Sequence, residues 1–321
     1  MQETSFFLVI CLNPTIQNTM VFPKLVPGEV NRSAECRVDA SGKGVNVART
    51  LMESGRPVVH LTQLGGPTRD WFLAMCAADR LEVSWVESAS PIRICTTAID
   101  RSAGTTTELV QEGQTVDAGT EERFLCRFTE LLPGARAVLI SGTKAAGFSP
   151  STIPQMARLA ARANKPLFLD IKGEDLRGCL PHRPFAIKPN LEELLQTRAP
   201  EKAEALRSSG DEGELRRFVA EAGFEYEERH GTGLVVTRGA RPTLFWEGGR
   251  LQEQPTNPVA ALNPIGSGDA FMAGLAMILT EGGSLAEAVT EGNRLGGLNA
   301  EQLKPGSIGE RVDVRRGTPS L

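Results

Sequence analysis

The feature that most constrains this chain is alternation. Short β-branched and aromatic runs of strand length take turns with longer helix-periodic stretches along nearly the whole sequence. Ser5 to Leu12 reads as a first buried strand, and Val45, Val47, Ala48, Leu51 and Met52 mark a helix from Gly44 to about Gly55. Strand Val58 to Leu64 and helix Thr68 to Ala78 follow, then helix Glu121 to Leu132, strand Ala137 to Ile140 and helix Ser151 to Ala163. Strands Pro166 to Ile171 and Phe185 to Lys188, helix Leu191 to Gln196 and a charged helical zone come next. Strands Gly233 to Thr237 and Pro242 to Trp246 and helices Asp269 to Leu279 and Ser284 to Leu298 complete the pattern. Strands separated by helices imply a mainly parallel sheet with helices on both faces, a three-layer α/β fold.

Two regions fall outside that sheet. Thr19 to Phe22 and Val30 to Val38 are short strands split by Pro23, Pro27 and Gly28, and Arg93 to Asp100 and Thr105 to Gln111 form a hairpin around Ala103-Gly104. They are distant in sequence and similar in character. The expectation is that residues of about 17–38 and 92–112 pair as a small separate sheet, a lid, on one domain spanning 1–321. Such a lid has exposed edges that need covering, so a homodimer through the lids is expected. The tail after Val314 is polar and expected to be loose.

The chemistry concentrates near the C-terminus, at Asn263-Pro264-Ile265-Gly266-Ser267-Gly268-Asp269-Ala270-Phe271-Met272-Ala273-Gly274. Small residues with free backbone donors precede an apolar helix, and a carboxylate stands at the junction. Amides at a helix start bind anions, and the helix dipole favours negative charge there. Gly266, Ser267 and Gly268 can therefore form an anion hole for a moving phosphoryl group, and Asp269 can take the proton of an attacking hydroxyl. The helix N-terminus is expected to keep Asp269 ionised, and so a weak base at rest. The plainer alternative is an ordinary N-cap with a flexible lead-in.

Composition removes other classes. The net charge of −4 is spread without a long block of like charge, so no nucleic-acid partner is expected. The six cysteines form no CxxC pair and there are only three histidines, so no structural zinc site is expected. Phe6 to Leu12 is too short to span a bilayer and lacks a basic lead-in and a cleavage pattern. No membrane partner is expected, and a cytoplasmic location is the default. The chain has neither a GxxxxGK loop followed by Ser or Thr nor a GxGxxG pattern.

The chain resembles the ribokinase-like, PfkB-type carbohydrate kinases over nearly its whole length. The segment Pro264 to Gly274 matches that family's second signature. Ser41-Gly42-Lys43-Gly44-Val45-Asn46-Val47-Ala48 matches its first Gly-rich motif, and Ile187-Lys188-Pro189-Asn190-Leu191-Glu192-Glu193-Leu194 its Asn-x-x-Glu motif. Within the family, the closest likeness is to the sugar-phosphate branch, 1-phosphofructokinase and tagatose-6-phosphate kinase. It rests on Leu12-Asn13-Pro14, Gly28 to Arg32, Lys43 between glycines, Arg93 in the lid hairpin, Thr107-Glu108, and Asn299-Ala300 before Lys304-Pro305-Gly306.

The resemblance implies ATP and Mg²⁺ as cofactors and a sugar phosphate as substrate. Lys43 and Arg93 would clamp the phosphate already on the sugar, with Arg32 as a third candidate; the alternative is that they are solvated cations. Gly42 and Gly44 would let the backbone approach the sugar, or serve only as a turn before a helix. Asn13 and Asn46 would face the same pocket. Asn190 and Glu193 share a helix face, where the family organises Mg²⁺ and its waters; alternatively they are a capping box. Lys188 and Asp170 lie at strand ends and can line the cleft. Thr237, Arg238 and Gly239 resemble the family's nucleotide-phosphate loop, and Asn299 would border the adenine.

Two departures bear on the substrate. Gln17 stands where the family places an Asp that holds sugar hydroxyls, and Ser141-Gly142-Thr143-Lys144-Ala145-Ala146-Gly147 stands where Ser-Gly-Ser-Leu-Pro is commoner. The expected activity is ATP-dependent phosphorylation of a primary hydroxyl of a ketohexose phosphate of the fructose 1-phosphate or tagatose 6-phosphate type. A kinase of an unphosphorylated sugar or nucleoside, and a sugar-phosphate-binding regulator without turnover, are the alternatives.

Overall fold

The computed structural model describes residues 5–309, so the tail after Val314 lies outside the described residues. In chain order the elements are β1 (Phe6–Cys11), β2 (Thr15–Phe22), β3 (Glu35–Ser41), α1 (Lys43–Glu53), β4 (Val58–Leu64), α2 (Arg69–Ala78), β5 (Val83–Glu87), β6 (Arg93–Asp100) and β7 (Thr105–Leu109). They continue as α3 (Thr120–Leu131), β8 (Ala135–Ser141), α4 (Thr152–Arg162), β9 (Leu167–Asp170), α5 (Gly173–Cys179), β10 (Ala186–Ile187), α6 (Leu191–Arg198) and α7 (Ala203–Ser209). The last are α8 (Glu212–His230), β11 (Gly233–Arg238), β12 (Arg241–Glu247), β13 (Arg250–Gln254), α9 (Ser267–Thr280) and α10 (Leu285–Ala300).

The main sheet has the order β13-β12-β11-β10-β9-β8-β1-β4-β5. It is parallel from β5 to β11 and antiparallel at β12 and β13. β1 lies inside the sheet, between β8 and β4. Leu8 and Ile10 pack on one face with α3, α4, α6 and α8, and Phe7 and Val9 pack on the other with α1, α2, α9 and α10. This explains the unbroken apolar run of β1: a parallel strand covered on both faces has no side for polar residues.

The lid forms as a second sheet of order β3-β2-β6-β7. The two hairpin-like regions join through the parallel pair β2–β6, in register at Gln17↔Cys95 and Asn18↔Thr96. The strand expected at Val30 to Val38 begins later, at Glu35. Asn31 is the reason. Its Oδ1 accepts from Val26 N at 2.8 Å, and its Nδ2 donates to Val26 O at 2.8 Å and Glu29 O at 3.0 Å. The side chain closes a loop and turns Val30 outward. Strands β5 and β13 and helix α5 carry no clear sequence period. The two strands are partly exposed sheet edges, and α5 has seven residues, two of them glycines.

Candidate active site

The parallel strands aim their carboxyl ends at one crevice, where open α/β sheets hold ligands. Asn13 follows β1, Gly142 and Thr143 follow β8, Asp170 ends β9, Lys188 follows β10 and Thr237 lies near the end of β11. The loop into α9 closes this crevice. Fully buried Asn263 builds the turn: its Oδ1 accepts from Ile265 N at 3.1 Å and its Nδ2 donates to Leu303 O at 2.9 Å. Gly266 holds φ +88°, and a Cβ there would stand 2.7 Å from Gly306 N, so only glycine fits.

The loop expected to form an anion hole offers one donor fewer than the sequence suggests. The Ser267 amide donates back to Pro264 O at 3.2 Å and is spent on the turn. Among the described residues the amides of Gly266 and Gly268 have no such partner. The Ser267 hydroxyl is buried without a hydrogen bond.

Asp269 lies in the first turn of α9, 5% exposed, and its Oδ2 accepts from Asn46 Nδ2 at 2.8 Å. Here the structure corrects the sequence argument. Burial pushes the Asp269 carboxyl up to about 7, against the lowering effect of Lys43, and the neighbouring Asp170 pushes the same way as burial. The helix dipole does not keep it a weak base: a carboxylate taken out of water loses more solvation than one helix end returns. The result is a carboxyl that changes charge near neutral pH.

Lys43 and Lys188 flank the other carboxylate, Asp170. Lys43 Nζ is 3.5 Å and Lys188 Nζ 3.4 Å from Asp170 Oδ2, and Lys43 Nζ also donates to Glu193 Oε1 at 3.0 Å. Burial opposes the Lys43 charge, but Asp170, Glu193 and Asp269 outweigh it and hold the ammonium above its usual range. Lys43 is therefore a cation paired with two carboxylates, its side chain still partly open to the crevice. Lys188 is buried, and its Nζ lies 3.6 Å from where a Cβ on Gly268 would be, beside the anion hole. Asn190 and Glu193 do form a capping box at the start of α6, through Glu193 N to Asn190 Oδ1 at 2.8 Å and Asn190 N to Glu193 Oε2 at 2.9 Å.

The crevice has three connected compartments. The central one, about 360 Å³, is lined by Gln17, Gly42, Lys43, Asn46, Arg93 and Asp269 among others. It shares Lys43, Arg93, Asp170 and Glu193 with a side pocket of about 210 Å³ that reaches Asn13, Thr143 and Lys172. It shares Asn190, Thr237, Pro264 and Gly268 with a larger cavity of about 680 Å³, which Gly239, Ser267 and Phe271 also line. Gly268 is thus a wall common to the central and large cavities. Gln17 is 3% exposed, and its Nε2 donates to Thr97 Oγ1 at 2.8 Å. Arg32 is exposed and lines none of the three.

Two expectations change. Asn299 does not line the large cavity. It is fully buried, and its Nδ2 donates to Ser307 O at 3.1 Å and Lys304 O at 3.4 Å, fastening the loop behind Gly266. Gly42 lines the central cavity, yet its glycine requirement comes from packing: at φ +115° a Cβ would meet Cys11 Sγ at 3.1 Å and Pro14 Cα at 3.3 Å. At Gly44 a Cβ would lie 2.5 Å from Ile10 O, so the start of α1 presses directly on β1.

Sequence reasoning missed three groups. Lys172, in the side pocket, carries no motif. Val259, Asn293, Gly296 and Gly297 complete the large cavity, with only the small-residue pair on α10 as a signal. Arg49 is a guanidinium on the buried face of α1, three residues from Asn46 and so on the same side of the helix.

A family profile described as pfkB family carbohydrate kinase matches residues 10–309. Among solved structures, phosphofructokinase-2 from Escherichia coli in complex with fructose-6-phosphate superposes with a TM-score of 0.78 at 21% identity, covering 92% of this chain and 94% of that one. A possible 1-phosphofructokinase from Thermotoga maritima gives 0.78 at 18% identity, covering 93% of each chain. At these identities the likeness to the two structures is one of fold, matching the large parallel sheet and the small second sheet.

Proposed function

This chain belongs to the pfkB family of carbohydrate kinases, and on that premise we propose that it transfers the γ-phosphoryl group of ATP to a primary hydroxyl of a ketohexose phosphate. The observation that carries this reading is the position of Asp269. It is a buried carboxyl raised to about 7, next to a loop with two free amides that walls both the central and the large cavity.

The sugar occupies the central cavity with its reacting hydroxyl toward Asp269. The ATP phosphates come in over Gly266 and Gly268 from the large cavity, whose Phe271 and Val259 suit an adenine base. Mg²⁺ arrives with ATP as part of the substrate. Among the described residues no three carboxylate, imidazole or thiol groups converge to hold a metal. Asn190 and Glu193 suit a hydrated cation instead, since each Glu193 oxygen accepts one bond and keeps a lone pair for a water.

As the hydroxyl oxygen attacks phosphorus, Asp269 takes its proton. The two amides and Lys188 stabilise the charge on the transferring group, and the leaving oxygen departs with ADP. The phosphate already on the sugar enters the side pocket, toward Arg93, Lys43 and Lys172. Gln17 reads one hydroxyl: with its nitrogen given to Thr97, its carboxamide oxygen remains an acceptor.

One observation favours a second reading. Lys43 is already paired with two carboxylates, which lowers the positive field available to a second phosphate and suits an unphosphorylated sugar or nucleoside. Steady-state ADP release over a panel of hexoses, nucleosides and hexose phosphates decides between them. A ketohexose phosphate should give the highest kcat/KM; preference for a neutral sugar would favour the second reading, and sugar binding without turnover would leave only a regulator.

The lid supports a homodimer. Gln17, Asp39, Cys95 and Thr97 share its inner face, while Val38, Ile94 and Leu109 lie on the outer face and are 37%, 44% and 60% exposed. Light scattering of the purified chain should give twice the monomer mass.

A further inference from the structure

The Asp269 carboxyl is supported by a chain of polar groups that runs from Ser41 and Asn46 of the first Gly-rich motif to Arg49, which directly follows that motif. Asn46 Nδ2 donates to Asp269 Oδ2 at 2.8 Å. The other end of that amide, Asn46 Oδ1, accepts from Ser41 Oγ at 2.9 Å and faces Arg49 Nη1 at 3.4 Å. A guanidinium has no acceptor, so the amide atom toward Arg49 must be the oxygen, and the nitrogen must therefore face Asp269. Arg49 cannot swing away. It is fully buried and fixed by Asp79 Oδ2 at 2.9 and 3.0 Å, Ala40 O at 2.6 Å and Pro305 O at 2.6 Å. Ser41 is equally enclosed at the end of β3, 2% exposed.

We propose that Ser41 and Arg49 are positioning residues that fix the orientation of the Asn46 amide, which in turn pins Asp269 Oδ2 and leaves Oδ1 as the atom that takes the substrate proton. The assignment of Oδ1 rests on the kinase reading above; the orientation of Asn46 stands on the contacts themselves. In the reaction the hydroxyl O–H breaks, its proton goes to Oδ1, and the oxygen bonds to phosphorus as the bond to the ADP oxygen breaks. Oδ2 keeps the Asn46 donor throughout. Without the Ser41 and Arg49 restraints the amide can rotate and set its oxygen against a carboxylate, which disfavours the charged base.

The other charged groups around Asp269 are Lys43 on α1, Lys188 after β10 and Asp170 at the end of β9. None of them touches Ser41 through a hydrogen bond or ion pair. Ser41→Ala therefore tests the chain without altering those charges.

The test is a direct titration of Asp269 in the full chain by carbon-13 NMR of labelled aspartate carboxyls, with Asp269→Asn identifying the resonance. Ser41→Ala should move the midpoint upward by about one pH unit, the scale of a weakened hydrogen bond to a charged group. Asn46→Ala should move it upward as well. In the Asn46→Ala background, Ser41→Ala should add nothing, because its route to Asp269 is gone. Arg49→Lys, if its circular dichroism is native, should behave as Ser41→Ala does; if it does not fold, the Ser41 pair of measurements decides.

An unmoved midpoint in Ser41→Ala, or the same movement with Asn46 absent, overturns the proposal. Activity is read separately on the same samples. Wild-type protein that titrates as described but turns over no sugar would defeat the functional reading and leave the orientation of Asn46 intact. Turnover with an Asp269 indifferent to Ser41 would do the reverse.

Discussion

Asn46 and Asp269 lie 223 residues apart in sequence and are joined by a 2.8 Å hydrogen bond inside the protein. The bond ties the first Gly-rich motif to the second, helix α1 to helix α9, and puts the Asn46 amide in contact with the Asp269 carboxyl.

Asp269→Asn removes the proton acceptor with little change of shape. Turnover should fall by roughly 10²–10⁴-fold, the usual worth of a general base. ATP affinity measured by calorimetry should stay within about twofold, because the free amides of Gly266 and Gly268 remain. Retained turnover would remove Asp269 from the mechanism.

In the proposed mechanism the active form of Asp269 is the carboxylate. With its ionisation raised to about 7, kcat/KM should be lost as pH falls through that value and be full above it. The pH profile of the wild type checks the sign and the position. A profile flat down to pH 5 would mean that the buried carboxyl is already ionised.

Arg93→Ala should raise KM for a phosphorylated sugar by about 10–100-fold, the worth of a charge-assisted hydrogen bond. KM for ATP should be nearly unchanged, since Arg93 lines the central and side compartments and not the large cavity. Equal effects on both substrates would show that it does not hold the sugar phosphate.

Gly266→Ala places a methyl group 2.7 Å from Gly306 N at φ +88°. Stability should drop by about 1–3 kcal/mol in urea titration, and kcat by about 10²-fold or more as the anion hole moves. Native stability and turnover would show that the turn has room to shift.

His60 sits in β4, fully buried, with the Val9 backbone as the one hydrogen-bonding group acting on its ring. Burial pushes its ionisation down to about 3, so the folded state excludes a proton that the unfolded chain binds near 6.5. The unfolded state therefore gains on the folded one as pH falls below about 6.5, by at most about 1.4 kcal/mol per pH unit. His60→Gln should flatten that dependence in denaturant titrations from pH 7 to 4. An unchanged slope would assign acid sensitivity to other groups.

Most of the architecture was legible because it rests on local signals. The apolar run of β1, the helical period after Gly44 and the turn residues between them each follow from the chain within a few residues. The lid hairpin at Arg93 to Asp100 was readable for the same reason. β13 was not, since its polar residues pair only because β12 lies next to it. Asn31 likewise hid the true start of β3, because one side chain bonding across a loop leaves no period.

The sequence by itself determined the alternation that makes a parallel sheet, the glycine turn into α9 and the carboxylate at its mouth. Only the tertiary structure decided what that carboxylate is. Its ionisation depends on how much water the surrounding elements exclude and on where Lys43, Lys188 and Asp170 finish, and these come from distant parts of the chain. The same holds for Asn299, which the family resemblance set beside the adenine and whose hydrogen bonds fasten a loop instead. A motif fixes which atoms are present; desolvation and pairing are properties of the assembled surroundings, and no stretch of sequence carries them alone.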